Sequence, residues 1–408
     1  MPAILDLGDM QGDLVAWRRD IHAHPETAFE ETRTSDFVAQ RLESFGLEVD
    51  RGLGGTGVVG TLKAGTSNAA IALRADMDAL FIHEANEFSY RSTNDGKMHA
   101  CGHDGHTTML LGAARYLSQK PEFDGAVHFV FQPAEETGDE ECGGNRMVRE
   151  GLFDKFPVSA VFGMHNFPGL PLGHFAVRSG PMLASIDTFE FKVLSEHNHP
   201  ATQYTSPDPI VIAGRIVEAF HGFKARGVNP AEPVVLSITQ FQAGDPINDR
   251  QGVHITPDHA YVRGTVYTLN DAVRDLFDER LGAMAHGIAA ANNATCEFQY
   301  QRGYPVLVNT SDEKQRAVAA AGAVVGGAAV DGDMQPIMGA EDFAFMLKGR
   351  PGCYILIGNG AGEGTCHVHN PNYDFNDEAI PFGVSYWVNL VQMSLPEQPG
   401  GGRQSSSS

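Results

Sequence analysis

The sequence is poor in basic residues and in the features that would place it in a membrane or outside the cell. Lys and Arg total 29 against 51 Asp and Glu, a formal net charge of −22, which argues against nucleic acid or an anionic membrane as a partner. No apolar run is long enough to cross a bilayer, and the first residues lack the charged-then-apolar pattern of a secretory signal. The five cysteines are an odd, scattered set, which argues against a disulfide framework. We therefore expect a cytoplasmic protein that acts on a small molecule.

The length and apolar content are those of an ordinary folded enzyme-sized chain. With 408 residues the chain is long enough for two domains, or for one large domain that carries an insertion. Apolar residues make up 42% of it, so a normal hydrophobic core is expected. The exception is the segment 396–408, which is rich in Pro, Gly and Ser and which we expect to be disordered.

The order of the expected secondary structure indicates an α/β fold with an insertion. Four buried strands are predicted in the first half of the chain, at 58–63, 70–75, 126–131 and 160–164. Between residues 185 and 302 the pattern changes to strand–helix–strand–strand–helix–strand, which is the order of a ferredoxin-like βαββαβ unit. We therefore expect a catalytic domain with a large mixed sheet, made of residues 1–184 and 303–395, that carries a smaller domain at 185–302.

A cluster of metal-ligating residue types occurs within residues 98–106. One thiol, three imidazoles and one carboxylate are contributed by His99, Cys101, His103, Asp104 and His106. Thiolate and imidazole are the ligand types that zinc-like divalent ions prefer. The alternative is a polar loop that happens to contain a buried cysteine, and the motif taken alone leaves both interpretations open.

Side chains that could bind metal also occur at the ends of three successive strands. Asp76 closes one strand, Glu135 and Glu136 follow the next, and His165 follows a third. The carboxyl ends of strands are where open α/β sheets place their chemistry. Asp76 could orient a ligand imidazole or cap a turn, and the glutamate pair could divide metal ligation from proton transfer or form a solvated acidic turn. Their recurrence at successive strand ends favours a metal-dependent active site.

Seven sequence blocks extend this pattern through the chain. They are HAHPE (22–26), RADMDAL (74–80), MHACGHDGHT (98–107), QPAEE (132–136), GMHN (163–166), MGAEDF (338–343) and HNPNYDFNDE (369–378). In this order the blocks resemble the metal-dependent amidohydrolases related to aminoacylase and carboxypeptidase, in the branch with hippurate hydrolase and the auxin–amino-acid conjugate hydrolases. The resemblance spans about residues 14–395, and it implies a zinc-peptidase-like catalytic domain with an inserted ferredoxin-like domain that serves as lid and dimerisation surface.

Position by position, the resemblance implies a metal-ligand set and a general base. Two divalent ions (Zn2+, Mn2+ or Co2+) would be held by Cys101, His103, Glu136, His165 and His369. Glu135 would remove a proton from a water activated by the ions, the hydroxide would attack an amide carbonyl, and Glu135 would return the proton to the leaving amine. The implied activity is hydrolysis of the amide bond of N-acyl amino acids or related amides. Further residues are expected around the metals or the substrate, namely Asp76, Asp104, His254 and Glu341.

The resemblance also implies a shared active site in a homodimer or a tetramer. A histidine on the inserted domain is expected to approach the neighbouring subunit's site and stabilise the oxyanion. His199 matches that position, although His197 in the same altered loop could take the role. The chain also departs from the family's pattern at His254 and at Tyr267, which replaces an arginine, both near where substrate would lie. With the metal set intact, we expect working hydrolytic machinery and an altered substrate, such as one that lacks the usual free carboxylate.

Two other functions compete with this interpretation. A metallo-dipeptidase would need a group that binds the free amine of its substrate, and Glu341 or Asp342 could provide it. A non-catalytic metal- or ligand-binding homologue is a hypothesis of a different class. The intact pair Glu135–Glu136 argues against it, because a protein that only binds has no need of a general base.

Overall fold

The computed structural model describes residues 3–196, 199–244, 255–360 and 366–397. Its largest sheet is built from eight strands: β1 (Glu48–Arg51), β2 (Val58–Ala64), β3 (Ala70–Asp76), β4 (Gly125–Gln132), β5 (Ala160–Phe167), β6 (Phe175–Ala176), β13 (Val330–Asp331) and β14 (Gly352–Gly358). They lie in the order β1-β2-β4-β3-β5-β14-β6-β13. Strands β4, β3, β5 and β14 run parallel to one another, whereas the pairs β1–β2, β2–β4 and β14–β6 are antiparallel.

Helices flank this sheet and bury its central strands. They are α1 (Met10–Ala23), α2 (Thr32–Ser44), α3 (His103–Gln119), α4 (Gly143–Arg149), α5 (Leu152–Lys155), α8 (Ser311–Val325), α9 (Phe343–Gly349) and α10 (Ile380–Ser394). Every residue of β3 and of β14 is buried, which is typical of parallel strands covered on both faces. Helix α10 packs against α3 and α8. None of the helices in the described part of the chain is long and apolar enough to cross a membrane.

The segment between β7 (Gly180–Leu183) and β12 (Leu307–Asn309), which pair with each other, forms a second unit. Its elements are β8 (Ser185–Leu194), α6 (Pro209–Gly227), β9 (Val234–Ala243), β10 (His259–Thr268), α7 (Asp271–Ala291) and β11 (Thr295–Arg302). The strands form an antiparallel sheet in the order β11-β8-β10-β9. A separate hydrophobic core, which includes Phe189, Phe220 and Phe277, lies between this sheet and its two helices.

The architecture confirms the expected α/β fold with an inserted βαββαβ unit. We call residues 185–302 the inserted unit; the domain boundaries themselves stay a prediction. Two differences affect the site. Helix α3 begins within the histidine-rich motif, at His103, because Gly102 takes a left-handed conformation (φ 97°) and the helix starts directly after it. Strand β5 continues to Phe167, so that His165 lies within the strand instead of following it. The short strands and α9 were not predicted, because a few residues carry no periodic signal.

A buried ion pair fixes the base of the inserted unit. The guanidinium of Arg274 donates to the carboxylate of Asp187 through Nε at 2.9 Å and also contacts it through Nη2. Both side chains are almost completely buried, and the hydroxyl of Tyr300 donates to the same carboxylate at 2.8 Å. The pair therefore holds α7 against β8 and β11 without access to water.

We expect Arg274→Met to destabilise the inserted unit strongly. It would leave the Asp187 carboxylate buried without a cation, and breaking a buried pair in this way costs about 3–5 kcal/mol. The matched control is Arg302→Met, which removes a half-exposed arginine paired with Asp275 and Asp278; such surface pairs contribute about 1 kcal/mol or less. Urea unfolding of both variants measures the difference, and equal shifts would contradict the assigned role.

Candidate metal centre and active site

The site lies where three parallel strands end. Strands β4, β3 and β5 are neighbours, so their carboxyl ends open at one edge of the sheet. Asp76 is the last residue of β3, and a short 3-10 helix, Glu135–Thr137, follows β4. His165 lies near the end of β5, and the N-terminus of α3 brings His103 to the same edge. The strand ends that the sequence singled out therefore meet in one place.

The five expected ligands come together in two overlapping groups. The ligand atoms of Cys101, His103 and His165 lie within 4.8 Å of one another, and the same holds for Cys101, Glu136 and His369. The Sγ of Cys101 is 3.3 Å from Nε2 of His165, and Nε2 of His369 is 3.0 Å from the Glu136 carboxylate. Because Cys101 belongs to both groups, the arrangement suits two neighbouring cations that share the thiolate.

The geometry of His103 fits a metal ligand. Its Nδ1 lies 2.9 Å from the Asp78 carbonyl oxygen and 3.2 Å from the Asp78 carboxylate. Both of these groups only accept, so Nδ1 carries a hydrogen and Nε2 is the nitrogen that a metal ion would take. That Nε2 is buried and, among the described residues, has no hydrogen-bond partner. A buried polar atom left unpaired costs about 1–3 kcal/mol, a cost that a bound cation would remove.

The electrostatics of the cluster also favour a cation. Burial lowers the pKa of His103, but the charges of Asp76, Asp78 and Glu136 outweigh it and raise the pKa to about 10. Burial and the charges of Glu136 and Glu135 hold the pKa of the Cys101 thiol well above its usual value. The thiolate therefore needs positive charge beside it, and the excess of carboxylates attracts that charge. A divalent ion satisfies both conditions.

The two adjacent glutamates have different environments. Burial, followed by the charges of Glu341, Glu136 and Asp342, raises the pKa of Glu135 well above its usual value. Burial also acts to raise the pKa of Glu136, but the hydrogen bond and charge of His369 outweigh it and lower the pKa. Pairs of carboxyl groups whose pKa values are pushed apart are suited to separate roles. Glu136 stays ionised, as a ligand must, while Glu135 holds a proton more readily.

Asp78 is a member of the site that sequence reasoning missed. Besides its contacts with Nδ1 of His103, its carboxylate accepts a hydrogen bond from the backbone N–H of Glu136 at 2.9 Å. It thus connects two candidate ligands on different elements. Asp78 lies in the sequence block 74–80, in which only Asp76 was predicted to be a site residue. Asp76 accepts from Nδ1 of His106 at 2.6 Å and lies 3.8 Å from Nε2 of His103.

The other expected site residues have different surroundings. Asp104 faces away from it, with a carboxylate oxygen 2.8 Å from Nδ1 of His22. Glu341 lies at the cavity wall, where Arg74 donates to it at 2.8 Å. His199 is exposed and caps a 3-10 helix through its Nδ1, 3.1 Å from the N–H of Ala201. His197 and His254 lie outside the described residues.

A cavity of about 430 Å³ opens beside the candidate ligands. Glu135 and Glu136 face it, and much of the remaining wall is apolar or aromatic: Phe167, Leu183, Ile186, Tyr267, Tyr304, Ile337, Met338 and Leu356. The described residues of this wall include no Lys or Arg. Ile186 and Tyr267 come from the inserted unit, so both units bound the cavity. Its walls suit an apolar group bonded to the atoms that react at the cluster.

Comparison with known proteins gives concordant matches. The family model described as peptidase family M20/M25/M40 matches residues 72–393. Hippurate hydrolase of Campylobacter jejuni is 37% identical over 96% of this chain and 98% of its own length. IAA-amino acid hydrolase ILR1-like 4 of Arabidopsis thaliana is 35% identical over 94% of this chain and 86% of its own length. The crystal structure of a Bacillus subtilis protein, described as a dinuclear metal-binding peptidase from the M20 family, superposes with a TM-score of 0.79 at 33% identity and covers 94% of this chain and 98% of that one.

We expect Asp78→Asn to weaken metal binding without removing a ligand. An amide cannot accept hydrogen bonds at both of its positions, so either the Glu136 N–H loses its acceptor or His103 Nδ1 faces an NH2 group and keeps only the Asp78 carbonyl. Loss of such supporting groups typically lowers metal affinity about 10- to 100-fold. Competition with a chelator measures the affinity. The control is Asp95→Asn, which alters an exposed contact with His83; if the two variants bind metal equally well, Asp78 does not support the site.

Proposed function

The chain belongs to peptidase family M20/M25/M40, and from that premise we propose how its residues carry out amide hydrolysis. It is a metal-dependent amidohydrolase that cleaves the amide bond of N-acyl amino acids or related amides. One observation carries the assignment of roles: the buried glutamate Glu135 lies beside a thiol, imidazole and carboxylate set at the wall of an apolar cavity. The family that the sequence motifs predicted is confirmed by the family model and by the similarity to hippurate hydrolase.

Two divalent ions would be held by Cys101, His103, Glu136, His165 and His369. When bound, they supply Lewis acidity that lowers the pKa of water and polarises an amide carbonyl. Zinc suits the thiolate ligand. Manganese or cobalt, which suits the imidazole and carboxylate ligands, is the proposed ion for turnover. The dinuclear relative of similar structure supports this number of ions.

Glu135 is the proposed general base. It is 6% exposed, and its carboxylate lies within 4.8 Å of the ligand atoms of His103 and Glu136, next to where an activated water would be held. It would take a proton from the attacking water and deliver the same proton to the nitrogen of the departing amine. The apolar wall of the cavity would exclude other water from this transfer.

The cavity supports a substrate recognised mainly through apolar groups. No Lys or Arg among its described wall residues is placed to pair with a carboxylate. The acyl part of the amide would fill the space beside Leu183, Ile186 and Ile337. An N-acyl amino acid or related amide with a bulky apolar acyl group is therefore the proposed substrate.

The competing functions fit the site less well. A dipeptidase would use Glu341 or Asp342 to bind a substrate amine, but Arg74 donates to both of these carboxylates, at 2.8 Å and 2.9 Å. Tyr354 also donates to Glu341. Their charges are compensated within the protein, so neither is available for an ammonium group. The position of the Glu135 carboxylate, beside the candidate ligands and at the cavity wall, weighs against a homologue that only binds metal.

A homodimer formed through the inserted unit is proposed as the working assembly. Strand β9 is at the edge of its sheet, and the inserted unit exposes large apolar side chains at Ile210, Val211, Val235 and Phe241. Exposed apolar side chains beside an open strand edge are typical of a surface that pairs with another chain. Such a dimer, or a tetramer built from it, would allow His199 to reach the partner's site. The acidic charge and the unpaired cysteines support a cytoplasmic location.

We expect Glu135→Gln to abolish most turnover while metal content stays near two ions per chain. The change deletes proton transfer, which is worth about 10²- to 10⁴-fold in rate, without deleting a ligand. Glu136→Gln should instead weaken metal binding. Activity on a panel of N-acyl amino acids with manganese, cobalt or zinc, together with metal analysis, separates the two effects. Glu141→Gln, at an exposed glutamate bonded to Arg149, is the control; identical behaviour of the first two variants would refute the division of roles.

We expect His199→Ala to lower activity about a hundred- to a thousand-fold, which is the usual cost of losing one oxyanion donor. Mixing this chain with the Glu135→Gln chain should restore activity, because a heterodimer has one site with an intact base and an intact partner histidine. His221→Ala, which changes an exposed histidine on α6, should keep full activity. If mixed dimers form and no activity returns, His199 does not act across the interface.

A further inference from the structure

The turn that carries Glu135 and Glu136 has little regular structure of its own. Ala134 has a left-handed conformation (φ 51°), and so has Gly138 at the other end (φ 75°). Between them lies a 3-10 helix of only three residues. A left-handed conformation is unfavourable for alanine and persists only where surrounding contacts impose it. The position of the proposed base therefore depends on groups outside the turn.

Tyr304 supplies two of these contacts through a single hydroxyl. Its O–H donates to the backbone carbonyl of Glu135, and its oxygen accepts from the backbone N–H of Gly138 at 2.6 Å. The side chain is 4% exposed and its ring forms part of the cavity wall. The hydroxyl thus joins the two ends of the turn at the wall where substrate would bind.

Gly303 brings the backbone into contact with the same turn. A Cβ atom at this position would lie 2.6 Å from the carbonyl oxygen of Gly138 and 2.6 Å from that of Ile186. Both of these are backbone atoms, so neither can move aside as a flexible side chain would. Only glycine allows the chain to pass this close, and its approach places the Tyr304 hydroxyl at the turn.

The segment 303–304 is also where the chain leaves the inserted unit. The N–H of Gly303 donates to the carbonyl of Ile186, and the N–H of Ile186 donates to the carbonyl of Tyr304, each at 3.0 Å. Arg274 donates to the Gly303 carbonyl at 3.0 Å. The two strands that connect the units are thereby held together at the point where Tyr304 contacts the catalytic turn.

We propose that Tyr304 is a positioning residue. It fixes the turn that carries Glu135 to the junction at residues 303–304, where the chain leaves the inserted unit. It acts on the backbone at both ends of the turn and leaves the carboxylate of Glu135 free to transfer a proton. The inference rests on the proposed role of Glu135 as general base. If Tyr304 has this role, the position of the general base Glu135 also depends on how the inserted unit packs against the catalytic sheet.

The test is Tyr304→Phe, which removes one oxygen atom and keeps the ring in the cavity wall. Displacement of a catalytic group by about 1 Å can cost about 100-fold in rate, so we expect kcat to fall about 10- to 100-fold. KM should change little because the apolar wall is retained, and metal content and circular dichroism should match the parent protein. Gly303→Ala, which keeps the hydroxyl but pushes the segment away from the turn, should also lower kcat.

The matched control is Tyr261→Phe. Tyr261 lies on β10, and its hydroxyl donates to Glu190 rather than to the turn or to the junction. This variant should keep the parent kcat. All rates are expressed per metal-loaded folded chain, so that a variant with a reduced folded fraction is still comparable.

The outcomes separate this inference from the proposed function. If Glu135→Gln is inactive and Tyr304→Phe keeps the parent kcat, Tyr304 does not position the base. A fall in kcat that disappears on correction for folded or metal-loaded chain, or that Tyr261→Phe reproduces, also overturns the inference. If Glu135→Gln itself keeps full activity, the proposed role of the base is wrong. A selective loss of kcat in Tyr304→Phe and Gly303→Ala supports the assignment.

Discussion

The rest of the site depends on the hydrogen bonds and ion pairs that the buried guanidinium of Arg74 makes. It is completely buried and donates to Asp76 at 2.7 Å, to Glu341 at 2.8 Å and to Asp342 at 2.9 Å, while its Nε donates to Gln132 at 2.9 Å. These partners come from the ends of β3 and β4 and from the segment before α9. One cation thus joins three parts of the chain that would otherwise repel one another, since uncompensated buried carboxylates are very costly.

One arginine cannot neutralise all the carboxylates gathered at this edge of the sheet. Asp78, Glu135 and Glu136 remain beside Cys101, whose ionised form would add a further negative charge. The metal-binding chemistry of the family answers this imbalance, because divalent cations supply the charge that the protein's own side chains lack. Arg74 compensates Asp76, Glu341 and Asp342, whereas Glu135 and Glu136 face the cavity beside Cys101.

The inserted unit contributes to the site through its junction with the catalytic sheet as well as through the cavity wall. Its first and last strands are bonded to each other where they leave the catalytic sheet, and Arg274 and Asp187 fix that junction. Ile186 and Tyr267 reach the cavity from this unit, and Tyr304 follows it directly. Substrate recognition and placement of the base are therefore linked to the same short connection.

The sequence by itself predicted the class of fold and the βαββαβ insertion, because both depend on local periodicity, and its resemblance to the family implied the five candidate ligands. It also indicated that Asp76, Glu135, Glu136 and His165 would meet, since parallel strands end at one edge. It did not reveal Asp78 as the support of His103, or Tyr304 at the turn of Glu135. A hydrogen bond between residues far apart in the chain leaves no spacing pattern, and which of two nearby aspartates faces an imidazole depends on how strand and helix pack. The sequence determined which reactive side chains lie close together along the chain. Only the tertiary structure decided the partner of each buried polar atom, because a buried polar atom must pair with whichever group the fold places beside it.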